Sequence, residues 1–192
     1  MQSTKLRFIL ILFITTLISH ASFAQSKTTV GAMVLLGTGK MGNTTDVMSR
    51  SMMYTPVALF VGYNLAKFRM GLNYEYNLAG QTDDPATFSN QNMGGKGSIV
   101  GLRLDYYNGK QSIGLIYHVS EKYNLDKPTI AGTVAGYDGK SGFGFQYYRQ
   151  FKNKIGVVFD YTTASLKSSA ANSNDINMDR ISLGLVFTNF AK

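Results

Sequence analysis

From residue 28 onward the chain reads as eight segments in which apolar and polar residues alternate. The third is the plainest. Phe68, Met70, Leu72, Tyr74, Tyr76 and Leu78 fall on one face, and Arg69, Gly71, Asn73, Glu75 and Asn77 on the other. Successive side chains of a strand point to opposite faces, so a strict period of two predicts β-strands with one apolar and one polar surface. The eighth sets Ile181, Leu183, Leu185 and Phe187 against Ser182, Gly184, Val186 and Thr188. The fifth sets Ile113, Leu115, Tyr117 and Val119 against Ser112, Gly114, Ile116, His118 and Ser120. The predicted strands are Thr28–Thr38, Tyr54–Tyr63, Phe68–Leu78, Ser98–Tyr107, Gln111–Ser120, Ser141–Arg149, Ile155–Leu166 and Arg180–Phe190. Each is near the roughly 9–11 residues that a tilted transmembrane strand needs.

Alternation alone does not say which face is inside. A soluble barrel turns its apolar set inward, and a membrane barrel turns it outward. Three features favour the membrane. First, no lysine falls inside the predicted strands. A face that meets water would carry some, whereas a lysine at the bilayer midplane costs about 2–4 kcal/mol. Second, the polar face collects Arg69, Glu75, Arg103, Asp105, Gln146, Asp160 and Arg180 among glycines, in near balance of sign, as a salt-bridged lumen requires. Third, short links alternate with long ones. The short ones are Asn64–Lys67, Asn108–Lys110 and Gln150–Asn153, and Asn108-Gly109 suits a type I′ hairpin turn. The long ones are about residues 39–53, 79–97, 121–140 and 167–179, which places both termini on the short-turn side. The expected fold is all-β, an eight-stranded antiparallel up-and-down transmembrane barrel.

Residues 1–24 read as a cleaved signal peptide. Lys5 and Arg7 form a basic start, Phe8–Ile18 an apolar run, and Ser22-Phe23-Ala24 a small-x-small cleavage site, so the barrel domain is expected to occupy 25–192. The apolar run is too short to span a hydrocarbon core of about 30 Å as a helix. Without cysteine, lipoprotein processing, disulfides and thiolate chemistry are excluded. The net charge is +8, and the two leader bases leave 8 − 2 = +6 for the mature chain. That charge is dispersed, and an exported chain with no basic cluster is not expected to bind nucleic acid. Lys27, Lys67, Lys110, Arg149, Lys152, Lys154 and Lys192 gather at the short-turn end, a collar suited to anionic headgroups. Aromatic residues are expected at both interfaces: Tyr63, Phe68, Tyr106, Phe151 and Phe187 below, Tyr54, Tyr76, Tyr117, Phe143 and Tyr161 above.

With this leader, strand count and loop rhythm, the chain resembles the small eight-stranded outer-membrane barrels of the OmpA and OmpX type. The last strand resembles that group's assembly signal at Ser182, Gly184, Phe187 and Phe190, departing from it at Asn189 and in the trailing Ala191-Lys192. The resemblance implies the outer membrane of a Gram-negative bacterium, insertion by the barrel-assembly machinery, and contact with outer-membrane lipids and lipopolysaccharide. It leaves a homo-oligomer open.

An eight-stranded barrel is just wide enough for its own side chains to fill. Arg69, Asn73, Glu75, Arg103, Asp105, His118, Gln146, Asp160 and Arg180 are therefore expected to form a structural polar network in the lumen. His118-Val119-Ser120 is similar to the His-x-Ser of lipid A 3-O-deacylases, but strand phase turns both His118 and Ser120 into the lumen, away from lipid. No acid lies between Thr129 and Ala135, where that motif would need one. Metal binding has no support, since the histidines are His20 and His118 alone, and Asp83-Asp84 suits a solvated loop. Gly94-Gly95-Lys96-Gly97 precedes no helix, so it is not a phosphate loop, and no cofactor is indicated. Three function classes follow. The first is a non-enzymatic structural or surface-interaction barrel acting through four long extracellular loops. The second is a narrow conduit for small or hydrophobic solutes, and the third a lipid A-modifying enzyme. The filled lumen and polar loops favour the first.

Overall fold

The computed structural model describes residues 28–43, 49–82, 94–108, 110–126, 134–152, 154–169 and 175–188. Eight strands, β1(Thr28–Asn43), β2(Ser49–Leu65), β3(Phe68–Gln81), β4(Gly94–Asn108), β5(Gln111–Asp126), β6(Val134–Lys152), β7(Ile155–Ser168) and β8(Ile176–Thr188), run in chain order. Every neighbour pair is antiparallel, and β8 returns to β1 to close the barrel. Closure satisfies the edge groups that an open sheet would leave bare in lipid. The leader 1–24, His20, Asp83, Asp84, Gly109, Asn189 and Phe190 lie outside the described residues.

All strands occur where expected, but most extend well past their predicted ends on the long-link side. The links there shrink to residues 44–48, 82–93, 127–133 and 169–175, so each of the four long loops of the sequence reading gives up residues to the strands, and 39–53 and 121–140 are mostly strand. At the other end the hairpins are tight. Leu65 pairs with Phe68, Asn108 with Gln111 and Lys152 with Ile155, leaving the two-residue links 66–67, 109–110 and 153–154. The second turn is thus one residue later than Asn108-Gly109. Ala66 (φ 51°) and Lys154 (φ 68°) take the left-handed conformation that such turns demand.

The outward face agrees with the membrane reading over most of the barrel. Leu36, Leu59, Phe68, Met70, Leu102, Leu115, Tyr117, Phe143, Leu183 and Leu185 stand exposed, while Arg69, Arg103 and Arg180 are buried. Two corrections concern this face. Tyr54, expected in the upper aromatic girdle, is fully buried in the lumen. Lysines do lie inside strands, because Lys40, Lys96, Lys122, Lys140 and Lys167 occupy the unpredicted extensions, all exposed.

In those extensions the alternation inverts. Outward positions become polar, with Lys40 opposite Asp179 and Asp138 set between Lys122 and Lys167 across adjacent strands. Inward positions become apolar: Met41, Met52, Tyr54, Ile99, Tyr123, Leu125, Leu166, Ile176 and Met178 form one buried cluster. A second cluster of Met33, Leu35, Ala58, Phe60, Tyr148, Val158 and Val186 fills the lumen nearer the short turns. The lumen therefore concentrates its charge in the belt between the clusters and is not charged along its whole length. Packed side chains exclude water where the barrel stands in either solvent, so apolar residues can line it wherever no charge needs a partner.

Candidate functional site

The belt is a continuous chain of hydrogen bonds that begins and ends on β3. Arg69 Nε donates to Asp105 Oδ2 at 2.7 Å. Arg103 on β4 reaches the same carboxylate from its Nε at 2.7 and 2.9 Å. It crosses the lumen to Gln146 Oε1 on β6 with its Nη1 at 2.7 Å. Gln146 Nε2 donates to Asp160 Oδ1 on β7 at 2.9 Å. Arg180 on β8 donates from Nη2 to Asp160 Oδ2 at 2.8 Å, to Thr162 Oγ1 at 2.9 Å and to Glu75 Oε2 at 2.9 Å, and from Nη1 to Glu75 Oε1. Glu75 returns the chain of contacts to β3. Three arginines meet three carboxylates, so the belt is neutral within itself. Leaving any one charge unpaired there would cost several kcal/mol.

Local sequence makes room for these long side chains. A Cβ at Gly62 would overlap the Arg69 stem, and one at Gly114 the Asp105 carboxylate. Phe60 of β2 packs against the belt, with the guanidinium carbons of Arg103 and Arg69 at 4.4 and 5.1 Å from its ring centroid. That stacking lets an arginine lie against an apolar cluster without losing all favourable electrostatics. Asn73 is buried on the same face, with its Oδ1 lacking a hydrogen-bond partner among the described residues. Asn77 extends the polar set upward, donating to the Tyr123 hydroxyl at 3.2 Å.

His118 lies apart from this belt, and here the sequence reading needs two corrections. Val119 is an extra residue on β5, because Gly101 pairs with His118 and Val100 with Ser120. The bulge flips the alternation. Ser120 consequently turns outward and is exposed, not lumenal. The same flip turns Glu121, read as a loop residue, into the lumen at 4 % exposure, where its Oε1 meets His118 Nδ1. His118 thus has an acid partner, but Ser120 does not share its face. A nucleophile needs its base within hydrogen-bond reach, and the bulge separates these two.

The last strand places Ser182 in the lumen, buried, Gly184 half-buried against the β1 backbone, and Phe187 on the outer face. Gly94–Gly97 opens β4 as strand. Among the described residues no group of three or more histidines and carboxylates converges as metal ligands would. The apolar clusters and Glu121 are the lumen residues that sequence reasoning missed. The signal that could have found them is the change of phase at Lys40, Lys96, Lys122 and Lys167, where polar residues move to the face that carries leucine and phenylalanine lower down.

No protein-family model matches the chain, and no curated protein matches it in sequence. In fold it is similar to Neisserial surface protein A, with 11% identity, a TM-score of 0.56, and coverage of 83% of this chain and 96% of that one. It is also similar to Ail, the attachment invasion locus protein of Yersinia pestis, solved with the heparin analogue sucrose octasulfate. There the identity is 8%, the TM-score 0.55, and the coverage 85% of this chain and 99% of that one. At such identities the likeness is one of fold, that of the small eight-stranded outer-membrane barrels.

Proposed function

We propose that the chain is a non-enzymatic integral outer-membrane barrel with a structural or surface-interaction role. The carrying observation is the belt: Arg69, Asp105, Arg103, Gln146, Asp160, Arg180 and Glu75 form a chain of contacts through the lumen, with packed apolar clusters on either side. A solute path would have to break charge-assisted bonds in a site poor in water, where each is worth more than at a surface. The separation of Ser120 from His118 counts against hydrolysis. In this reading residues 1–24 are removed on export, and the barrel-assembly machinery inserts the mature chain. The apolar outer face meets outer-membrane lipids and lipopolysaccharide, and the inverted extensions lift the rim above the bilayer. The surface role belongs to that stiff rim with its links, more than to four long loops. The sequence and outer face leave self-association open and offer nothing for nucleic acid.

Single-channel recording in planar bilayers tests the closed lumen. The expected result is no stepwise conductance from the wild-type barrel. Steps that grow when Arg180 is neutralised would show a conduit gated by the belt and overturn the reading. Orientation has its own check. An epitope tag after Asn90 should be labelled on intact cells and one after Gly109 should not; the opposite pattern would invert the barrel.

A further inference from the structure

The barrel wall is breached between β5 and β6. The two strands pair up to Tyr117 with Phe143 and resume at Lys122 with Asp138, leaving residues 118–121 and 139–142 unpaired across this seam. A comparable gap between β1 and β2, after Val34 with Val57, has an ordinary cause, since Pro56 has no N–H to give. No proline lies in the β5–β6 stretches. The break comes instead from extra residues on both strands, Val119 on β5 and Lys140 on β6, at the same level.

That level is where the outer face changes from apolar to charged. Tyr117 and Phe143 stand just below the gap, and Lys122 and Asp138 just above it. A crevice of about 150 Å³ enters the wall there, lined by His118, Ser120, Glu121, Gly139 and Ser141 among others. A separate groove of about 410 Å³, bordered by Thr163, Ser165, Asn177 and Asp179, shares Tyr117 and Ser141 with it. Glu121 is 4 % exposed, and while its Oε1 meets His118, its Oε2 has no hydrogen-bond partner among the described residues. The glycines of β6 create this arrangement. A Cβ at Gly139 would overlap Glu121, and one at Gly142 would overlap both Glu121 and His118. Lys140 also lines the crevice, with its ammonium 3.5 Å from Asp175.

A buried carboxylate oxygen without a donor among the described residues, on a residue that lines a crevice bordered by the Ser120 and Ser141 hydroxyls, calls for a cationic hydrogen-bond donor. The aromatic rings below the opening suit acyl chains. We propose that the β5–β6 seam binds the primary ammonium headgroup of a membrane lipid, with Glu121 as its main acceptor. Glu121 Oε2 takes one N–H, Ser120, Ser141 and Thr163 offer oxygens for the others, and Tyr117 and Phe143 contact the chains. This inference rests on the membrane placement proposed above, not on the closed lumen.

The test uses the full mature barrel purified in dodecylmaltoside and read by native mass spectrometry. Dioleoylphosphatidylethanolamine is offered against dioleoylphosphatidylcholine, which carries the same charge with no N–H. The expected result is a preference of about tenfold for the ethanolamine lipid, the ratio that one charge-assisted bond supplies. Glu121→Gln should abolish that preference. Ser141→Val, an exposed change that narrows the opening without touching the lumen, should abolish it too while leaving the unfolding temperature unchanged, so the proposal stays testable if Glu121→Gln fails to fold. Equal retention of both lipids, or a preference that survives either variant, would show an internal His118–Glu121 pair and nothing more. Competition by free ethanolamine at the lipid's own concentration would overturn the lipid as ligand. Conductance in bilayers would leave this result untouched, so the two proposals fail separately.

Discussion

The lower and upper parts of this barrel are built from the same eight strands and obey opposite rules. Near the short turns the outside is leucine, phenylalanine and tyrosine, and the inside holds the arginine–carboxylate belt beside a small apolar cluster. Toward the other end the outside is Lys40, Lys96, Lys122, Asp138, Lys167 and Asp179, and the inside is methionine, leucine and tyrosine packed as in a soluble core. The backbone ladder runs through the change with its neighbours unaltered on most strands. Alternation thus reports a strand and its two faces, while the identity of the outward residues reports the solvent. A single sheet can leave lipid for water by exchanging which face is apolar. The seam between β5 and β6, where extra residues on both strands interrupt the ladder, lies at the level of the exchange.

If the two parts differ in this way, their cores should fail for different reasons. Arg180 is fully buried and holds both Glu75 and Asp160. Arg180→Met strands two carboxylates and is expected to cost about 3–5 kcal/mol, the loss seen when one partner of a buried ion pair is removed. Leu166→Ala in the upper cluster should cost about 2–5 kcal/mol through lost burial and the cavity left behind. Reversible urea unfolding in lipid vesicles gives both. A loss below about 1 kcal/mol for Leu166→Ala would mean that the upper cluster is loosely filled, and the likeness to a soluble core would go.

This contrast also marks what was legible in the sequence. Strand number, order, face and the belt were readable, because Arg69, Glu75, Arg103, Asp105 and Asp160 stand one residue from strongly apolar neighbours and have few ways to be buried except together. The strand extensions were not. Lys40, Lys96, Lys122 and Lys167 look like loop residues to a reading that expects lysine only off the strands, and Met41, Met52 and Met178 carry little β signal. The placement of Ser120 and Glu121 was hidden by a bulge, since one extra residue reverses every later face and leaves no mark in composition. His118 and Glu121 sit three apart, a spacing that says nothing in an unbroken strand, where odd separations face opposite ways.

The outer face gives a smaller but sharper contrast. Leu72 points outward mid-strand in the lower part, and Asn177 points outward near the start of β8 in the upper part. Leu72→Arg should destabilise by about 2–4 kcal/mol in bilayers, the depth-dependent cost of a charge facing lipid. Asn177→Arg, with water beside it, should stay within about 0.5 kcal/mol. Equal costs at the two positions would place both in the same solvent and erase the boundary. Repeating the pair in thick and thin bilayers refines its height, because a thicker hydrocarbon layer should raise the cost at Asn177 first.

The finest division lies within the belt, between Arg69 and Arg103, which share Asp105. The sequence alone suggests a simple cross-strand pair of Arg69 with Asp105, and they are indeed opposite each other and bonded at 2.7 Å. But Arg103 Nε lies at the same distance from the same oxygen. Neutralising the two partners should therefore not be equivalent. Asp105→Asn leaves two guanidinium groups facing each other without their carboxylate, whereas Arg69→Gln leaves Asp105 still paired with Arg103. The acid variant should be the less stable of the two. The double variant should recover part of its loss, giving a coupling of about 0.5–3 kcal/mol for residues in one network. Coupling of a few tenths of a kcal/mol would mean that Arg103 alone satisfies the carboxylate and that Arg69 is held by its stack on Phe60 instead. In that case Phe60→Leu should destabilise wild type more than it destabilises Arg69→Gln, and the chain of contacts through the lumen would begin at β4 rather than β3.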